Sequence, residues 1–292
     1  MIALFIDYIS YEKRLSNHTI QAYQIDLKQF CDYLQAQNTT IQPEQAESKN
    51  LRSWMMALAN QGLSHASINR KLASIKAFYN FLCYKKLIAV DPTTKLKSLK
   101  VKRKLPVFLR ETELLQLLDQ HHFADTFEGS RDKLVLELLY GTGIRLSELL
   151  NLKDQHINLY ENTIKVLGKR NKERIIPYPK NLGATIANYQ AHRNKITTNQ
   201  HGLLLVTVAG LPAYPMLIYK LVKKYLRAYT KADRHSPHIL RHTFATHLLN
   251  HGADLNAIKE LLGHKNLAAT QLYTHNSLEK LKQAFAQAHP RA

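Results

Sequence analysis

A chain of 292 residues, 45% of them hydrophobic, is long enough for roughly two domains that each bury a core without staples. Lysine and arginine number 41 against 22 aspartates and glutamates, and the net charge of +19 marks a polyanion binder whose grip weakens with salt, without saying which polyanion. Two cysteines exclude a disulfide framework, and with no membrane-length apolar run and no secretion signal the chain is expected to be a soluble cytoplasmic protein.

In chain order, Ile20, Tyr23, Leu27, Phe30 and Leu34 follow Thr19 in alternating steps of three and four, the buried stripe of a helix. Ile68, Leu72, Ile75, Tyr79 and Leu82 repeat the pattern behind the capping-type Ser64. Arg70, Lys71 and Lys76 fall on the other faces of that second helix and are candidates to meet phosphate. Residues 43 to 58 are also helix-like, so residues 1 to 86 predict an all-helical module of about four helices. Residues 87 to 106 break the period and crowd Lys95, Lys97, Lys100, Lys102, Arg103 and Lys104 together. They predict a basic linker that straps onto nucleic acid rather than a merely solvated charge run.

Residues 107 to 292 predict a second domain, mainly helical with a small β-sheet. Helix-like segments at 111 to 120 and 131 to 140 precede an alternating strand at 163 to 167, a turn at 168 to 173 and a returning strand at 174 to 177, where Pro177 limits further pairing. Residues 203 to 208 are a possible third strand. Helices are expected near 214 to 228, 238 to 250, 254 to 262 and 277 to 288.

The chemistry concentrates in this second half. Gly141-Thr142-Gly143-Ile144-Arg145 lacks the third glycine and the preceding strand of a dinucleotide loop. It reads instead as a tight turn presenting Arg145 at a helix start, where a planar guanidinium fork suits two phosphate oxygens. Glu148, one turn on, is placed to orient Arg145. Lys169 lies at the hairpin tip, where its long arm can reach a bound backbone and protonate a departing oxygen. His238 and Arg241, three apart on a helix, project from one face, and His242 shares that side. His264 follows Gly263 at a helix end, nine positions before Tyr273. A phenol loses its proton near pH 10, so a nucleophilic tyrosine requires such cationic company. His235, His238, His242, His247 and His251 cluster, yet no His-Glu-x-x-His pattern, cysteine or close carboxylate completes a zinc set.

The ordered set Arg145, Lys169, His238-x-x-Arg241, His264 and Tyr273 resembles the active-site signature of the tyrosine recombinase (phage integrase) family. Four longer strings are similar to its Xer branch: residues 141 to 149, 168 to 174, 237 to 249 and 261 to 264, as is the ending His-Pro-Arg-Ala. One departure is Arg170, where Xer hairpins show glycine, and it leaves Lys172 as a rival to Lys169. The resemblance implies a helical, SAM-like core-binding domain and an α+β catalytic domain that clamp opposite faces of double-stranded DNA at a specific recombination site. It implies Tyr273 as nucleophile forming a 3′-phosphotyrosyl link, Arg145, Arg241 and His264 as charge stabilisers, Lys169 as general acid and His238 as acid/base partner. No metal, ATP or other cofactor is expected. It further implies a homo- or hetero-tetramer with a related recombinase, a C-terminal tail docked on a neighbouring protomer, a DNA translocase such as FtsK as a further partner, and no membrane.

The expected function is site-specific recombination that resolves chromosome or plasmid dimers and so serves chromosome partition at cell division. The alternative is integration of a mobile genetic element, which the absence of an additional arm-binding domain disfavours. A non-enzymatic DNA-binding protein is disfavoured because every catalytic position holds a competent residue, and a type IB topoisomerase would relax supercoils without a second duplex.

Overall fold

Ser16 and Ser64 each accept a backbone N–H from three residues on, Thr19 at 3.4 Å and Ser67 at 3.3 Å, which satisfies an orphan donor where two long helices begin. The computed structural model describes residues 1–37, 41–101, 108–168, 173–196, 201–232, 234–263 and 275–291, with backbone alone at 275–278. The chain divides into two compact units, Met1–Lys104 and Leu105–Ala292.

The first unit contains α1 (Ile2–Asp7), continued by a π-helical turn at Tyr8–Glu12, then α2 (Asn17–Ala36), a 3-10 turn at Pro43–Gln45, α3 (Ser48–Asn60) and α4 (His65–Tyr84). Leu27, Phe30 and Leu34 of α2 and Ile68, Leu72, Ile75, Tyr79 and Leu82 of α4 are buried against Leu51 and Trp54 of α3. Ile20 and Tyr23 close the edge of that core, half-buried. Burying each such side chain stabilises by roughly 1.5–3 kcal/mol, so the two predicted stripes hold this unit together. Part of the expected linker also folds onto it. Leu96 is buried, Asn69 exchanges two 2.8 Å hydrogen bonds with the backbone of Leu99, and Lys76 Nζ donates to the Leu96 carbonyl at 3.0 Å.

In the second unit α5 (Glu111–Leu115) runs into a π-helical turn at Gln116–Gln120, and α6 (Phe127–Thr142) and α7 (Leu146–Leu150) follow. A three-stranded antiparallel sheet is built from β1 (Ile157–Asn158), β2 (Thr163–Leu167) and β3 (Glu173–Pro177) in that order. Then come α8 (Lys180–Ile196), α9 (Pro215–Tyr229), α10 (Pro237–Asn250), α11 (Leu255–Leu262) and α12 (His275–Ala288). Helix α6 is buried almost all round, including Leu134, Val135, Leu138, Leu139 and Tyr140, so it forms the centre on which α8 and α10 pack. In the sheet Ile164 faces Ile157 and Ile176, while Val166 pairs with Arg174.

One local expectation is corrected, and one helix lies where none is predicted. The third strand is Ile157–Asn158 and not residues 203 to 208, which form only the isolated bridge pairs Lys153–Leu203 and Val206–Pro212. Leu204, Leu205 and Val206 are buried, but their backbone bonds go singly to Leu152, Ala213 and the Tyr189 hydroxyl, so no ladder forms. Helix α8 was not among the predicted elements, although Leu182, Ile186 and Tyr189 form its buried stripe. The tail folds back on its own unit: Leu281, Phe285 and Ala288 join its hydrophobic core, and Arg291 pairs with Asp119 at 2.8 Å and Glu137 at 3.1 Å. Among the described residues no helix is long and apolar enough to cross a membrane.

Candidate active site

Helix α6 ends at Gly143, whose φ of +59° is the left-handed conformation that glycine adopts without strain. A Cβ there would stand 2.4 Å from Phe244, so the tight turn requires glycine on both counts. Arg145 then caps α7. Its backbone N–H donates to Glu148 Oε2 at 2.7 Å and its Nη1 to Glu148 Oε1 at 2.8 Å, so Glu148 orients it as the sequence predicts.

The end of α11 gathers the rest. A helix C-terminus leaves carbonyl groups without intrahelical partners, and they carry partial negative charge. Three successive carbonyls each accept from a different arginine: Leu261 from Arg174 Nε at 2.8 Å, Leu262 from Arg241 Nη2 at 2.6 Å, and Gly263 from Arg145 Nη2 at 3.2 Å. Arg241 also donates Nη1 to the Gly143 carbonyl at 2.5 Å. The two predicted arginines, one from the α6–α7 turn and one from α10, are thus brought together on one helix end.

The cluster holds three guanidinium groups and one carboxylate, which pairs with Arg145 and Arg174 but not Arg241, so positive charge is in excess. Burial works against ionisation of Glu148, but the hydrogen bonds and charge of Arg174 and Arg145 outweigh it and hold the carboxyl at about 2. Burial, then the charges of Arg145 and Arg174, push Arg241 down to about 9. A guanidinium destabilised in this way gains from an arriving anion. Such a cluster suits a phosphate on which negative charge grows during reaction.

His238 sits exposed in the first turn of α10, one turn before the buried Arg241, and beside the half-buried His242. Lys169, Lys172, His264 and Tyr273 lie outside the described residues, as do Lys102 and Arg103. Of the clustered histidines, His247 is structural: it bonds the Tyr140 hydroxyl at 2.9 Å and the Leu109 carbonyl at 2.9 Å. His251 pairs with Glu111.

In the first unit the phosphate-contact expectation for Lys71 is corrected. Its side chain is 8% exposed and its ammonium binds Asp26 and Gln29. Arg70 donates to both oxygens of the same Asp26, at 2.7 and 2.9 Å, while keeping its side chain 53% exposed. Arg174 is the site residue that the sequence reading missed. Its signal was a charged side chain at an inward-facing position of β3, in register with the buried Ile176.

Residues 107–280 match the phage integrase family, and residues 2–86 match the phage integrase N-terminal SAM-like domain. The chain belongs to the phage integrase family. It is a tyrosine recombinase, an enzyme of site-specific DNA recombination, and DNA is its substrate. It is 38% identical over 314 residues to tyrosine recombinase XerC of Chlorobaculum tepidum, covering 99% of this chain and 94% of that one. It is also 38% identical over 299 residues to tyrosine recombinase XerD of Staphylococcus haemolyticus, covering 100% and 99%. The solved XerH site-specific recombinase bound to palindromic difH substrate, a post-cleavage complex, shares the fold with a TM-score of 0.73 at 21% identity, over 97% of this chain and 84% of that one. The tyrosine recombinase fold therefore accounts for both units: a SAM-like helical unit, then a catalytic unit carrying the arginine cluster.

Proposed function

We propose that this recombinase resolves chromosome or plasmid dimers by the following chemistry. The Tyr273 oxygen attacks the scissile phosphorus, the bond to the 5′-oxygen breaks, and a 3′-phosphotyrosyl link holds the strand. His238 accepts the phenolic proton, and Lys169 donates one to the departing 5′-oxygen. Arg145 and Arg241, with His264, neutralise charge on the non-bridging oxygens; one such group is worth about 10²–10³ in rate. The reverse attack by a partner strand's 5′-hydroxyl reseals the backbone, because the ester energy is kept in the covalent link. Arg70, Lys76, Lys102, Arg103 and Lys172 contact the DNA backbone, where they set position rather than sequence.

The observation that carries this reading is the convergence of Arg145 and Arg241 on the last carbonyls of α11, the helix whose chain leads directly to His264 and Tyr273. Two duplexes and four cuts require a tetramer on DNA, of this chain alone or with a related recombinase, and a DNA translocase such as FtsK supplies activation. The test is a plasmid carrying two directly repeated copies of the chain's recombination site, beside one carrying none. Resolution of the first into two circles, without relaxation of the second, supports dimer resolution. Relaxation of the site-free plasmid with no resolution overturns it in favour of a topoisomerase.

A further inference from the structure

Arg174 belongs to none of the catalytic roles above, yet it is buried at the centre of the cluster. Its Nη1 and Nη2 donate to the two oxygens of Glu148 at 2.7 and 2.8 Å, and its Nε to the Leu261 carbonyl at 2.8 Å. Glu148 also receives the backbone N–H and Nη1 of Arg145, so both of its oxygens are doubly engaged. One guanidinium therefore ties together β3, the start of α7 that presents Arg145, and the end of α11. The fit leaves no slack. A Cβ at Gly263, which has φ of +63°, would stand 3.3 Å from both Cδ and Nη1 of Arg174.

Charge decides what this arrangement does. A buried carboxylate must be neutralised, and with Arg145 as its only cation that pairing would cancel the charge Arg145 needs for phosphate. Arg174 supplies the second cation, in the bidentate geometry that only a guanidinium offers. We propose that Arg174 is a positioning residue for DNA cleavage: by neutralising Glu148 and fixing the end of α11, it leaves Arg145 and Arg241 to face the scissile phosphate with their charge uncancelled. This rests on the recombinase reading above.

The experiment uses the full chain. Duplexes selected from a randomised pool by Tyr273→Phe, a selection for binding alone, supply the recombination site, which is then built into a nicked suicide duplex. Single-turnover cleavage and DNA affinity are measured separately for wild type, Arg174→Lys, Arg174→Met and the double variant Arg174→Met with Glu148→Gln, with circular dichroism melts to follow folding. Arg174→Lys is expected to cleave about 10- to 100-fold more slowly while its Kd for DNA stays within about threefold, since the loss falls on transition-state charge and not on binding. Arg174→Met is expected to be slower still, and removing the Glu148 charge from it to restore the rate at least about tenfold, a coupling that shared loss of fold would not produce. Arg174→Lys cleaving at the wild-type rate, or a double variant no faster than Arg174→Met, overturns the role of Arg174 while leaving the recombinase reading in place. A wild type that forms no covalent adduct overturns that reading and the role of Arg174 together.

Discussion

Arg241 donates to the carbonyl oxygen of Gly143 at 2.5 Å, so a buried guanidinium from α10 braces the left-handed turn that aims Arg145. The turn and the arginine cluster are therefore one mechanical unit. Gly143→Ala is expected to damage both. The left-handed backbone costs a Cβ-bearing residue about 1–2 kcal/mol, and overpacking adds about 1–3 kcal/mol. The added carbon would stand 2.4 Å from Phe244. Urea denaturation of the variant should show the loss; a midpoint equal to wild type contradicts the account.

The buried ion cluster makes the catalytic unit sensitive to acid. Glu148 is held at about 2 against an ordinary 4.5, so it binds its proton more weakly folded than unfolded. Its contribution is complete above about 4.5 and is lost as pH falls through about 2. Glu148→Gln removes that contribution and leaves two arginines without their carboxylate, a loss of about 3–5 kcal/mol for a broken buried pair. Stability curves for the two chains should differ most near neutral pH and converge between about pH 4.5 and 2. A gap that stays constant with pH contradicts this.

In the first unit the equivalent test is Asp26→Asn. Asp26 is fully buried and accepts from Arg70, Lys71 and Ser74, and Lys71 is buried beside it. Neutralising it strands the Lys71 ammonium and is expected to cost about 3–5 kcal/mol. Adding Lys71→Met should recover a large part of that loss, measured by chemical denaturation. No recovery would show that the carboxylate's other partners dominate.

What the sequence made legible was periodic or local. The stripes of α2 and α4, the hairpin strands at 163–167 and 174–177, the second of which begins one residue earlier in the structure, the glycine turn and the Arg145–Glu148 pair all declare themselves within one or two turns of chain. The arginine cluster's third member did not. Arg174 meets its partners Glu148 and Leu261 at separations of 26 and 87 residues, and nothing near it in sequence announces a buried carboxylate. Lys71 misled for the same reason, since its neutralising Asp26 lies 45 residues away on α2. Helix α8 was obscured because Thr185 and Arg193 interrupt its buried face, the arginine being held by Asp154. Residues 203 to 208 alternate poorly, and the three buried among them, Leu204, Leu205 and Val206, join no ladder, which composition alone does not separate from a strand.

The tail yields a prediction with two parts. Deleting the residues after Ser277 is expected to abolish coordinated strand exchange while DNA binding survives. Because Leu281, Phe285 and Ala288 belong to the hydrophobic core of their unit, that deletion also removes packing. Arg291→Ala is the milder probe: it leaves the Glu137 carboxylate, 2% exposed, without its cation. Hydrogen exchange across α12 should accelerate in this variant. Unchanged exchange would show that the apolar contacts alone anchor the tail.

Under the proposed function, Tyr273, on the chain that follows α11, attacks a phosphate faced by Arg145 and Arg241. Incubating wild type and Tyr273→Phe with the nicked suicide duplex, and identifying any DNA-linked peptide by mass spectrometry, tests it. The expected result is a covalent adduct from wild type alone, with the nucleotide on Tyr273. An adduct on another residue, or one formed equally by Tyr273→Phe, contradicts it.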